Sequence, residues 1–295
     1  MTTPLIEGTK PITNKLLLEA LETRWKKYRS ELKRCREEFS NEAIHDLRVA
    51  TRRMLALIKL LNSVSPRPPL KKLSRTFKDQ LDEFDDLRDT QVILAELSRI
   101  LQDLPQLQEF QTHLQSSEKK MLRTLGRKIR KLEPSKIKER IRKTCKAMQG
   151  EMNSDLASQI LRAVDDAFVR VKQRQSAVDF ARPATIHRVR IAFKSFRYMV
   201  EIVQPLLPDF PSENLKRMND HQSLMGEIQD AEVFTQTLAD FTEHASLSDP
   251  EPVRRYEERR HADALSAYKN QMNQLDAFWR PAPDQPFPWE KTGLS

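Results

Sequence analysis

The stretch Ile44-His45-Asp46-Leu47-Arg48-Val49-Ala50-Thr51-Arg52-Arg53-Met54 decides how this chain folds. On a helix each residue advances by ~100°, because there are about 3.6 residues per turn. His45, Arg48, Arg52 and Lys59 then fall in a sector of roughly 60°, while Leu47, Ala50, Met54, Leu57, Ile58 and Leu61 gather on the opposite side. One face is core, and the other is a row of donors that contains no acid. The pattern recurs at Ile186-His187-Arg188-Val189-Arg190-Ile191-Ala192-Phe193-Lys194-Ser195-Phe196-Arg197-Tyr198, again with basic residues three and seven places after the histidine. Val189, Ala192, Phe196, Met199, Val200 and Val203 back the second row. Both rows, Arg48 and Arg190 included, are expected to face away from the core.

Composition extends the helical reading to the whole chain. Of 295 residues 32% are charged, helix-forming Leu, Ala, Arg, Lys, Glu and Gln dominate, and only five are glycine. Without clustered glycines there is no phosphate loop and no dinucleotide fingerprint, so no cofactor is expected. Two cysteines, Cys35 and Cys145, make neither a disulfide framework nor a zinc site, which fits a reducing compartment. No signal peptide and no 18-residue apolar run are present, so a cytoplasmic protein with no membrane span is expected.

The net charge of +9 is concentrated. Residues 119–146 hold 13 Lys or Arg against Glu133 and Glu139, a net of +11, which leaves −2 for the rest. Such a field favours a polyanionic partner.

Outward from the first motif, residues 1–13 read as a disordered leader and Asn14–Phe39 as an amphipathic helix. Ser40 or Asn41 caps the motif helix, which the prolines at 66, 68 and 69 stop. A third helix runs from near Leu70 to Ile100, and a fourth over about 106–149, with a break at Glu133-Pro134-Ser135. After a linker at Gly150–Asp155 the order restarts: a helix at Leu156–Gln175, the second motif helix capped by Thr185, a third helix over 212–244 and a fourth over about 251–279. The segment 280–295 reads as an extended, Pro-rich tail.

The halves are a repeat. His45 and His187 lie 142 positions apart; Leu87-Arg88-Asp89 matches Ile228-Gln229-Asp230 at an offset of 141, where Arg75 aligns with Lys216. Four main helices per half predict an all-α protein of two antiparallel four-helix bundles, 14–149 and 154–279, about a pseudo-two-fold axis.

At these residues the sequence resembles the conserved histidine α-helical domain (CHAD) family, from about residue 14 to 279. The first motif is similar to that family's histidine-then-arginine helix. The second is similar to its partner, with His187, Arg190, Lys194, Arg197 and Tyr198 in matching places. The resemblance implies two pseudo-symmetric bundles around a basic central channel that binds inorganic polyphosphate, association with polyphosphate granules, and no catalysis by the domain itself. Two departures stand out: Leu55 where the family usually has arginine, with Lys59 one turn further along the same face, and Ser195 where a second basic residue is common.

Rows of donors at helical pitch suit a polyanion with no base or sugar to read: arginine forks hold two oxygens at once and lysine acts as a mobile charge. The candidate set is His45, Arg48, Arg52, Arg53 and Lys59 of the first motif helix and His187, Arg190, Lys194, Arg197 and Tyr198 of the second. Arg75, Lys78 and Lys216 are added from the third helices, and Arg123, Arg127 and Arg130 from the fourth, where they follow i, i+4, i+7 spacing. The competing account pairs the motif cations with acids across the bundle, through Asp46, Asp89 or Asp230, and leaves Arg53 to the channel or a salt bridge. For the histidines the alternatives are a phosphate donor, protonated once a polyanion binds, or a hydrogen-bonded group that orients an arginine. His45-Asp46 lacks the upstream histidine of His-Asp metal phosphohydrolases, since His45 is the first in the chain. Nucleic-acid binding is the rival class, weakened by the absence of Asn or Gln base readers on the motif faces and of an aromatic stacking platform. A tether for a polyphosphate-metabolising enzyme is the third.

Overall fold

In the computed structural model, which describes residues 10–149 and 155–293, the chain is all-α. The expected linker at 150–154 and the leader over residues 1–9 lie outside the described residues. The first half comprises α1 (Lys10–Glu38), α2 (Asn41–Val64), α3 (Pro68–Asp82), α4 (Asp85–Ile100), α5 (Gln108–Lys131) and α6 (Pro134–Gln149). The second comprises α7 (Leu156–Ser176), α8 (Pro183–Val203), α9 (Asn214–Thr242) and α10 (Glu251–Gln271). Residues 10–13, placed in the leader by sequence, are the first turn of α1.

The motif helices form as their periodicity dictates. Leu47, Met54, Leu57 and Ile58 of α2 and Val189, Phe196, Val200 and Val203 of α8 are sealed from solvent, each such burial stabilising by about 1.5–3 kcal/mol. Ser40 caps α2, its Oγ accepting the Ala43 amide at 3.2 Å. Just before it Phe39 takes a left-handed turn (φ 46°) that ends α1. Its ring lies 3.0 Å from where a Cβ on Gly126 of α5 would stand, so that glycine is what lets α5 approach.

Three expectations need correction. The third helix is not continuous from Leu70 to Ile100: it breaks at Glu83-Phe84, where Phe84 N–H donates to Leu81 O in a tight i→i+3 turn. The break sends Phe84 into the core at 1% exposure. Thr185 does not cap α8. Arg182 is the N-cap, Pro183 opens the helix, and Thr185 sits one turn in, its hydroxyl accepting from the Asp179 amide at 3.1 Å. The tail is not extended. Phe287 is buried against Trp279 and stacked on Trp289, whose indole N–H donates to Pro208 O at 3.2 Å.

Both hydrophobic cores draw on both halves. The larger joins α1, α2, α3 and α6 to α7 and α8. The smaller joins Ile93, Leu97 and Phe110 to Phe234, Leu238 and Val253, through α4, α5, α9 and α10. Here Glu96, 2% exposed, takes an ion pair from Arg260 at 2.5 Å and a hydrogen bond from the Tyr256 hydroxyl at 2.6 Å. Between the cores α2 packs on α8 and α4 on α9, which brings the repeated motifs side by side.

Candidate functional site

Where α2 meets α8, cations converge. Arg52 and Lys194 are half-buried, and the charges that act on each identify the cluster: Arg48 and Arg190 repel both, and Asp85 attracts both. Burial first, then these like charges, pulls Lys194 down to about 6 and Arg52 to about 10. At pH 7 Lys194 is therefore largely neutral in the ligand-free protein. His187 is lowered in the same way, by burial and then by Arg190, although a hydrogen bond with Gln229 opposes the shift.

Arg48 is not outward-facing, as its place on the helical wheel suggested. It is 6% exposed on the face where α2 packs against other helices, and its Nη1 lies 2.8 Å from Oδ1 of Asp85, in the first turn of α4. Neither Asp89 nor Asp230 forms an ion pair among the described residues. Burial raises both carboxyls and each is drawn down by nearby arginines, Asp89 by Arg48 and Asp230 by Arg190. Asp46 pairs instead with Arg34 at 2.7 Å.

Three buried nitrogens at the cluster have no hydrogen-bond partner: Arg48 Nε, Arg190 Nε and His187 Nδ1. A buried donor left unpaired costs about 1–3 kcal/mol. The Arg190 guanidinium lies along α9 at Gly226, 3.7 Å from where a Cβ would stand. Beside the cluster a cleft of about 520 Å³ opens, lined by His45, Arg48 and Arg88 among others.

The remaining candidates lie elsewhere. Arg53 is held by Glu201 of α8 at 3.1 Å, an acid it shares with Arg24. Arg197 donates to Gln222 at 3.1 Å and packs on the Tyr198 ring, and Tyr198 itself acts on Arg52. Lys78 and Lys216 pair with acids on their own helices, Asp82 and Asp220, and Arg75 is exposed on α3. Arg123, Arg127 and Arg130 occupy the exposed face of α5, and none is among the charges acting on Arg52 or Lys194. Lys59 sits further along the α2 row, over a second groove. Sequence reasoning missed Asp85 and Arg88. Arg88 stood in the repeated block quoted above, and acids in a helix's first turn are a recognisable signal, but neither reveals a partner two helices away.

Among the described residues no group of three or more His, Cys, Asp or Glu could hold a metal ion, and no helix is long and apolar enough to cross a membrane.

The fold and this centre define an all-helical domain with cationic side chains gathered where α2 meets α8. The CHAD domain family model matches residues 19–239, so the chain belongs to the CHAD family. Its structure is similar to the crystal structure of the CHAD domain from the plant Ricinus communis, with a TM-score of 0.63 at 20% identity over 90% of this chain and 89% of that one. No curated protein matches the chain.

Proposed function

We propose that this protein binds inorganic polyphosphate without chemically transforming it, through the cluster where α2 meets α8. The carrying observation is the convergence of Arg48, Arg52, Arg190 and Lys194, with one ion-paired carboxylate, Asp85, among them. Such crowding disfavours the ligand-free charged state, and a polyanion reverses the sign of that energy. Phosphate oxygens also accept from the nitrogens left unpaired at Arg48, Arg190 and His187. A linear polyphosphate supplies closely spaced charges and is thin enough to lie between packed helices, where a duplex is not.

Family membership supports the same reading. Granule association and cooperation with polyphosphate-metabolising enzymes follow as expectations of that role, as does a cytoplasmic location. The test is the double variant Arg52→Ala, Arg190→Ala, neither residue being in the hydrophobic core. Loss of two charge-assisted contacts lowers polyphosphate affinity on the order of 100-fold. Undiminished binding by the folded variant places the site elsewhere.

A further inference from the structure

We propose that the groove between the C-terminal half of α2 and α7, floored by α8, is a second phosphate site that takes the part of a polyphosphate chain leaving the centre. The proposal rests on the central reading above. The groove has a volume of about 520 Å³, and Lys59, Arg162 and Arg170 line it with a single acid, Asp166. Lys59 lies seven residues beyond Arg52 on the same row of α2, about 10 Å along the axis. Ser195, directly after Lys194 on α8, forms part of the floor. The row on α2 therefore leads from Arg52 past the apolar Leu55 to Lys59, at the mouth of the groove.

On α7, Arg162, Asp166 and Arg170 follow i, i+4, i+8 spacing and are exposed, so the two guanidinium stems stand about 12 Å apart on one face. Among the described residues Lys59, Arg162, Arg170 and Asp166 form no ion pair. Some exposed cations elsewhere are pinned to acids of their own helices, as in Lys33–Glu37, Lys143–Glu139 and Arg254–Glu258, while others among the described residues, such as Arg75 and Arg123, share the unpaired state of the groove cations. Partial desolvation and then the neighbouring Lys78 lower the Lys59 ammonium from the usual lysine range even though the side chain reaches solvent, a cost that phosphate relieves. A short phosphate oligomer fills the centre alone; a long one also reaches the groove.

The experiment is calorimetry with tripolyphosphate and with long-chain polyphosphate on three folded variants. Arg162→Ala with Arg170→Ala is expected to leave tripolyphosphate affinity unchanged and to weaken long-chain binding about three- to tenfold. The log–log salt slope for the long chain should shrink by ~1.4, the value for two lost contacts on a flexible polyanion. Asp166→Asn is expected to tighten long-chain binding, a gain that misfolding does not produce. Long-chain affinity unchanged in both variants overturns the groove, while loss of tripolyphosphate binding in Arg190→Ala shows that the centre stands without it. Tripolyphosphate binding that survives Arg190→Ala removes the centre and the groove with it.

Discussion

Arg48 Nη1 and Asp85 Oδ1 meet at 2.8 Å across the α2–α4 junction, the buried arginine of the first motif held by the opening turn of α4. The contact makes Asp85 an internal stand-in for the anion: the same carboxylate attracts Arg52 and Lys194. Phosphate binding must compete with it. Asp85→Asn is therefore expected to tighten polyphosphate binding by several-fold and to destabilise the ligand-free protein by about 1 kcal/mol, the carboxylate being half exposed. Calorimetry and thermal melts on the same variant check both signs, and a variant that binds more weakly contradicts this role.

Lys194 sets a pH dependence. Its folded pKa, about 6, lies below the ordinary lysine value of 10.5, so between those pH values the unfolded chain binds the proton and the folded one does not. This group's contribution makes stability rise with pH across that window. Lys194→Met removes the penalty and is expected to raise the melting temperature at pH 7 by about 2–4 °C, with weaker polyphosphate binding. A melting temperature lowered at pH 7 argues against a crowded lysine.

A bound polyanion favours protonated Lys194 and His187, so binding at pH 7–8 takes up protons. Affinity is expected to rise as pH falls from 8 toward 6, then level off once Lys194 is protonated in the free protein. Titrations in two buffers of different ionisation enthalpy measure the uptake directly; identical heats in both contradict it.

Two glycines respond oppositely to one substitution. At Gly226 a Cβ meets Arg190 at ordinary contact distance, so Gly226→Ala gains helix propensity and stabilises by about 0.5–1 kcal/mol. At Gly126 the Cβ would stand 3.0 Å from Phe39, itself locked in a left-handed turn, so Gly126→Ala costs about 1–3 kcal/mol. Chemical denaturation of the pair resolves the difference.

Much of this architecture was legible in the sequence because helical periodicity is local. The α2 and α8 rows, the Ser40 cap and the Pro134 break all follow from residues within a turn or two of one another. The kink at Glu83-Phe84 escaped notice because Phe77, Leu81 and Phe84 continue the apolar period straight through it. Arg48 looked outward because a helical wheel carries no record of a neighbouring helix laid over that face. Asp85 and the α7 cations were invisible for the same reason: their surroundings arise from packing between helices distant in sequence. The strongly basic segment 119–146 was the opposite case, a conspicuous charge run whose candidates Arg123, Arg127 and Arg130 lie on the solvent face of α5 rather than in the cluster.

Competition calorimetry at physiological salt tests the central claim most directly, with long-chain polyphosphate titrated first and duplex DNA of matched charge added afterwards. Binding within the helix junction predicts a tight polyphosphate complex that the duplex does not displace. Binding of both polyanions in proportion to charge alone would instead mean an open basic surface, and would contradict the site at Arg52, Arg190 and Lys194.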